Sequence, residues 1–126
     1  MNVTTWEVRI SGWLAALTVL TGAAQIVFPG QLLPIISAAT PDAPDRHLFA
    51  TVGMFMVLFG STLLHALRQT GALPLVLLWA AMQKISAAAF VAWGVHSGVF
   101  LPLALLVAGF DLASGLLFAD LRRRLG

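Results

Sequence analysis

Residues 73–96 have the sequence LPLVLLWAAMQKISAAAFVAWGVH, and residues 99–121 have the sequence VFLPLALLVAGFDLASGLLFADL. A helix needs roughly 20 mostly apolar residues to cross the hydrocarbon core of a bilayer, and both stretches meet that length. Neither stretch alternates apolar and polar side chains, which is the pattern of membrane β-barrel strands. The two stretches therefore predict a pair of membrane-spanning helices joined by a short turn.

Two further apolar stretches, at residues 10–28 and 47–67, precede this pair. Together the spans predict an all-α polytopic membrane protein, in which residues 1–126 form a single antiparallel four-helix transmembrane bundle. The first span is long and no small-residue cleavage site follows it, so we do not expect it to be a cleaved signal peptide.

Residues 29–46 are the long connection between the first two spans. Its middle, residues 32–36, is apolar, and its end contains Asp42 and Asp45 among turn-forming residues. We expect one of these aspartates to cap the second span. The apolar middle is interpreted either as a partly buried connector or as a lid that lies flat on the outer face.

The composition of the chain is that of a membrane protein. Hydrophobic residues make up 60% of the sequence and charged residues 10%, and the mean hydropathy is +0.94, whereas soluble domains carry about 25% charged residues. A soluble fold of this size could not bury so much apolar surface. The sequence has no cysteine, which excludes disulfides and thiolate sites. The formal net charge is only +2, so a few basic residues beside a membrane explain the basic pI better than a nucleic acid partner does.

The basic residues indicate how the bundle is oriented. Cytoplasmic loops carry an excess of Lys and Arg, and the opposite side of this bundle has only Arg46. We therefore expect both termini to be cytoplasmic. Glu7 is expected in a solvated rim on that side, near His65. The arginines of the cytoplasmic side are Arg9, Arg68, Arg122, Arg123 and Arg124.

Two charged residues fall inside the predicted spans, Lys84 in the third and Asp111 in the fourth. The two helices run in opposite directions with a rise of about 1.5 Å per residue, so both charges lie near mid-membrane. A charge there costs about 2.5–3.5 kcal/mol on insertion scales. We therefore predict that the two side chains form an ion pair or a hydrogen bond. Gln83, Ser86 and Ser114 are close to them in sequence and complete a candidate ligand or proton site.

The sequence is compatible with several roles for this pair. It could be structural and fix the register between the last two helices. Asp111 could instead load and release a proton during transport. Lys84 could hold an anionic or carbonyl-bearing ligand, or act as an acid or base. No second catalytic group is evident at that depth, so an enzyme is the weaker interpretation.

A second group of polar residues, Gln25, Arg46, His47 and His96, is predicted at the outer interface. Two histidines and a carboxylate can bind zinc or iron. Nothing in the sequence fixes the separation of these histidines, however, and His65 has no partner at its depth to hold a haem. We therefore predict no metal and no cofactor.

The chain has a glycine-rich second span from Gly53 to Gly60, Gln83-Lys84 in the third span, and Gly109-Phe110-Asp111 with Ser114-Gly115 in the fourth. With these features it resembles small bacterial four-span membrane proteins of the DoxX-like type and related uncharacterised families. Members of such families mostly have no assigned activity, and some are associated with redox complexes. The resemblance implies a location in the bacterial inner (cytoplasmic) membrane.

Three functions are compatible with the sequence. The first is a small membrane module whose bundle binds an apolar small molecule or a membrane protein partner. The second is a proton-coupled small transporter that acts as a homo-oligomer, with Asp111 as the coupling site. The third is a small intramembrane enzyme. In each case the lipid bilayer surrounds the bundle.

Overall fold

Helices of very different lengths make up the computed structural model, which describes residues 5–69 and 71–125. Four of the helices in these residues are long and apolar enough to cross a membrane, and α2 is a short connector. The predicted all-α four-helix architecture is confirmed. The helices are α1 (Thr5–Val27), α2 (Pro29–Ile36), α3 (Ala43–Arg68), α4 (Leu73–His96) and α5 (Ala104–Leu125).

The long helices pack as two hairpins. Helix α1 pairs closely with α3, and α4 pairs closely with α5, whereas the packing of α3 on α4 and of α1 on α5 is sparser. Each hairpin is therefore a well-packed unit, and the bundle is formed by laying one hairpin against the other.

Glycines permit the close approach of α1 and α3. A Cβ added to Gly53 would lie 2.5 Å from the carbonyl oxygen of Gly22, and one added to Gly60 would lie 2.8 Å from that of Ala15. No side chain fits at such distances. Small residues at close contacts are the usual way in which helices associate in lipid, where no hydrophobic force drives them together.

The buried face of α1 differs from the face that residue size predicts. Gly12, Ala16, Val19 and Ala23 share one face of α1 at helical spacing, but the structure buries the neighbouring face most deeply. The two faces differ because the buried face combines a close-contact glycine with small polar residues. A pattern of small apolar residues alone does not indicate such a face. Its buried members are Glu7, Ser11, Ala15, Thr18 and Gly22.

The expectation that Glu7 lies in a solvated rim was wrong. Helix α1 begins at Thr5, before the predicted start of the span. Glu7 is only 1% exposed, and its Oε1 lies 3.3 Å from Nη1 of Arg124 near the end of α5. The carboxylate is tolerated inside the bundle because the last turn of α5 supplies a cation to it.

The segment between α1 and α3 is more ordered than a loop. Pro29 begins α2, in agreement with the preference of proline for the first turn, and Leu33 is buried. Asp42 and Asp45 then form a capping box, in which each carboxylate accepts the backbone N–H of the other, at 3.0 and 3.1 Å. The predicted capping of α3 is confirmed. The N–H of Asp45 holds the pKa of Asp42 below its usual value.

Helix α5 begins at Ala104 instead of near Val99. The backbone between α4 and α5 turns at Gly98, whose φ of 77° favours glycine. It then runs beside the end of α2, where the N–H of Ala38 donates to Val99 at 3.1 Å and that of Leu101 donates to Ile36 at 2.7 Å. These bonds join the two hairpins through their connectors. We call this end of the bundle, residues 37–42 and 97–103, the connector end.

Candidate functional site

Lys84 and Asp111 form the buried ion pair that the sequence predicts. Lys84 lies in the middle of α4 and is 3% exposed, and Asp111 of α5 is 8% exposed. The Nζ of Lys84 donates to Oδ1 of Asp111 at 3.1 Å. The two helices belong to the same hairpin, so this bond fixes α4 against α5.

Thr18 is the third member of the site and was missed by the sequence analysis. The Nζ of Lys84 donates to Oγ1 of Thr18 at 2.7 Å, and that hydroxyl donates in turn to the carbonyl of Leu14 at 2.8 Å. Because Thr18 belongs to α1, the ammonium group joins the two hairpins. The signal in the sequence was a threonine in the middle of a span. The hydroxyl of a threonine at such a position usually bonds to a carbonyl of its own helix, so it does not by itself indicate a site.

The ring of Phe110 gives the ammonium group a further favourable neighbour. The Nζ of Lys84 lies 5.3 Å from the centroid of this ring, a distance at which the quadrupole of the ring attracts a cation. Asp111, Thr18 and Phe110 thus surround the charge with a carboxylate, a hydroxyl and an aromatic face. This arrangement replaces the water that the ammonium group loses on burial.

The other residues predicted near the pair have separate environments. Gln83 is half-buried beside Lys84. Ser114 is buried, and its hydroxyl donates to the carbonyl of Phe110 at 2.8 Å. Ser86 is exposed on α4, and so it lies away from the buried pair. The assignment of Gln83, Ser86 and Ser114 to a ligand or proton site stays a prediction.

A narrow crevice lies beside the ammonium group, between the two hairpins. Its volume is about 10 Å³, and Thr18, Gly60, Gln83 and Phe118 are among the residues that line it with Lys84. A space of roughly 10–15 Å³ holds about one water molecule, whereas sites for drug-sized ligands have about 300–1,000 Å³. The crevice can therefore hydrate Lys84 but has no room for a substrate.

A much larger cavity lies at the connector end, and we call it the connector cleft. It has a volume of about 480 Å³, within the range of small-molecule sites. Residues from α2, from the start of α3 and from the α4–α5 connection meet in it, which is why no single stretch of sequence indicates it. Its apolar walls are formed by Leu33, Leu48, Phe49, Val52, Val99 and Phe100.

Ser37, Thr40 and Asp45 add a few polar groups to the connector cleft. The hydroxyl of Ser37 donates to the carbonyl of Leu33 at 2.8 Å, so its proton is already used. Asp45 is exposed and is the one charged residue among those that line the cavity. The cleft is therefore an apolar site with a single anionic group.

Of the polar residues predicted at the outer interface, Gln25 and Arg46 have hydrogen-bond partners outside the group. The amide of Gln25 donates to Sδ of Met56 at 3.3 Å. Arg46 donates to the carbonyl of Pro41 at 3.0 Å. His47 and His96 are both exposed. Within residues 5–69 and 71–125, no three His, Asp or Glu side chains group closely enough to hold a metal ion.

Family models, curated proteins and solved structures contain no match to this chain. The likeness to DoxX-like proteins therefore stays a prediction.

Proposed function

We propose that this protein is a membrane-embedded binding module that accommodates an apolar small molecule in the connector cleft. The observation that carries the proposal is the cavity of about 480 Å³ with apolar walls. Binding sites for small molecules are mostly apolar concave cavities with a small number of polar groups, and the connector cleft has this composition.

The location of the cleft supports the same function. It lies at the end of the bundle opposite the cluster of arginines, and by the positive-inside rule that end faces away from the cytoplasm. The proposed setting is a bacterial inner membrane with both termini in the cytoplasm. A ligand would then reach the cleft from the outer leaflet or from the outer aqueous phase.

The buried pair acts as scaffold in this proposal. Lys84 holds α4 to α5 through Asp111 and to α1 through Thr18. The crevice beside it, of about 10 Å³, favours a structural role for the pair over a site of transport or catalysis. The hydrogen bonds among α1, α4 and α5 fix one hairpin against the other. They therefore also fix the cleft walls from α2 and α3 relative to the wall from the α4–α5 connection.

Binding can be tested with N-phenyl-1-naphthylamine, a neutral apolar fluorophore, and protein in lipid nanodiscs. We expect a saturable fluorescence increase beyond that of empty nanodiscs. Val52→Trp should abolish it, because the indole would fill part of the cleft. Val107→Trp is the matched control, because Val107 is an exposed residue of α5 outside the cleft and should leave binding unchanged.

The proposal fails if the wild-type protein adds no saturable component to the signal of empty nanodiscs. It also fails if Val52→Trp and Val107→Trp bind the probe as strongly as the wild-type protein does. Native mass spectrometry of gently extracted protein gives an independent reading, since a retained small molecule should be present in the wild type and absent from Val52→Trp.

A further inference from the structure

We infer that the connector cleft selects an amphiphile with an apolar chain and a cationic amine, and that Asp45 holds the amine. This inference rests on the proposed binding function and names the chemical class of the ligand. It follows from the position of one carboxylate in a cavity whose remaining walls are apolar or neutral.

The carboxylate of Asp45 retains capacity to bind a cation. Its Oδ2 accepts the backbone N–H of Asp42 at 3.1 Å as part of the capping box. A carboxylate offers about four acceptor positions, so one bond to the backbone leaves room for an ammonium group. Asp45 is also exposed, so a ligand in the cleft can reach it.

The charges around the mouth of the cleft favour a cation over an anion. Asp42 and Asp45 carry two negative charges, and Arg46, whose guanidinium donates to Pro41 at 3.0 Å, carries one positive charge. The N-terminus of α3 would attract an anion, but the carboxylate of Asp42 already accepts the N–H of Asp45 at 3.0 Å. The two carboxylates together outweigh Arg46 and the partial positive charge of the helix end, which is about half an elementary charge, so a net negative charge remains.

The apolar walls require a second part of the ligand. An amine without a chain would leave the surfaces of Leu33, Phe49 and Phe100 in contact with water, and burial of such surface is the main source of affinity in apolar sites. A chain without a charge would bring apolar atoms against the carboxylate and remove water from it. An amphiphile satisfies both parts of the cavity.

The inference can be tested by displacement of N-phenyl-1-naphthylamine from nanodisc-embedded protein at pH 7 by dodecylamine, dodecanol and dodecanoate. These probes share one chain and differ in the charge of the head group. We expect dodecylamine to displace the fluorophore at the lowest concentration and dodecanoate at the highest. Raising the salt concentration should reduce the advantage of dodecylamine over dodecanol, because salt screens exposed charges.

Asp45→Asn should weaken dodecylamine binding by about fivefold, the order of one exposed ion pair, and leave dodecanol binding unchanged. The asparagine keeps an acceptor for the capping box. Asp42→Asn is the matched control, because it removes the same charge from the same cap at a residue outside the cleft, and it should have the smaller effect.

The outcomes separate the two proposals. Equal displacement by dodecylamine and dodecanol at low salt, with no change in Asp45→Asn, would overturn the inference and leave the apolar binding site standing. The absence of saturable binding of the fluorophore to the wild-type protein would overturn the binding function itself. If Asp45→Asn loses dodecanol binding as well, the test is the salt dependence of the wild-type protein. An advantage of dodecylamine over dodecanol that salt reduces supports the inference, and an advantage that salt leaves unchanged overturns it.

Discussion

Replacement of Lys84 by methionine removes the ammonium group and keeps most of the aliphatic chain. In the structure this leaves the carboxylate of Asp111, which is 8% exposed, without its cation. It also leaves the hydroxyl of Thr18 without the donor that lies 2.7 Å away. Because both members of the pair are buried, solvent screening does little to reduce the effect.

The expected loss follows from the burial of the pair. Removal of one partner from a buried ion pair costs about 3–5 kcal/mol, and a lone charge inside a membrane costs about 2.5–3.5 kcal/mol on insertion scales. We therefore expect Lys84→Met to lower the free energy of unfolding by about 3 kcal/mol. Addition of Asp111→Asn removes the uncompensated charge, so the double variant should recover to within about 1 kcal/mol of the wild type.

The assay is reversible unfolding in mixed micelles of dodecyl maltoside and SDS, followed by far-ultraviolet circular dichroism. Ser86→Ala is the control, because Ser86 is two residues from Lys84 in the sequence of α4 but is exposed. The free energy of unfolding of this variant should match that of the wild type. A double variant as unstable as Lys84→Met would refute the reasoning, since the loss would then not come from an unpaired charge.

Three further predictions test other parts of the fold. Glu7→Gln should lower the free energy of unfolding by about 1 kcal/mol, a small loss because Arg124 is partly exposed and its charge is screened. A larger loss in the same unfolding assay, if it persists when Arg124 is also replaced, would contradict the pairing of Glu7 with Arg124. Gly53→Ala should destabilise the bundle by about 1–3 kcal/mol through a clash with α1, whereas Gly109→Ala, which meets no neighbouring atom, should stabilise it by about 0.5–1 kcal/mol. The pKa of Asp42 is lowered in the folded protein, so its cap contributes stability above about pH 3.9, the usual aspartate value. This contribution is lost as the pH falls through the lower pKa of the folded state. NMR titration of the Asp42 carboxyl should give a midpoint below about 3.9.

The parts of the fold that could be predicted are those that one segment of sequence determines. Apolar length alone identifies the four membrane-spanning helices. The Lys84–Asp111 pair could be predicted because each charge needs compensation at a depth where the sequence offers only the other. The capping of α3 by Asp42 or Asp45 follows from a local pattern as well, whereas the reciprocal capping box is seen in the structure.

The parts that were missed depend on contacts between distant segments. Thr18 gives no signal of its own, because a hydroxyl in a span can bond to its own helix and only the packing of α1 on α4 brings it to Lys84. Glu7 is buried because Arg124, near the opposite end of the chain, lies beside it. The connector cleft is lined by residues from three separate segments. It forms only when the chain is folded, so no single segment predicts it.

The central claim is that the ammonium group of Lys84 meets the carboxylate of Asp111 inside the bilayer. Lys84 is the one lysine in the sequence, so ¹⁵N-lysine labels a single Nζ, and solid-state NMR in lipid bilayers can measure its dipolar coupling to ¹³C-labelled aspartate carboxyls. Because Nζ lies 3.1 Å from Oδ1, the labelled nitrogen should show a dipolar coupling to one aspartate carboxyl carbon, and this coupling should disappear in Asp111→Asn. A wild-type protein without that coupling, or one in which the coupling survives in Asp111→Asn, would contradict the account.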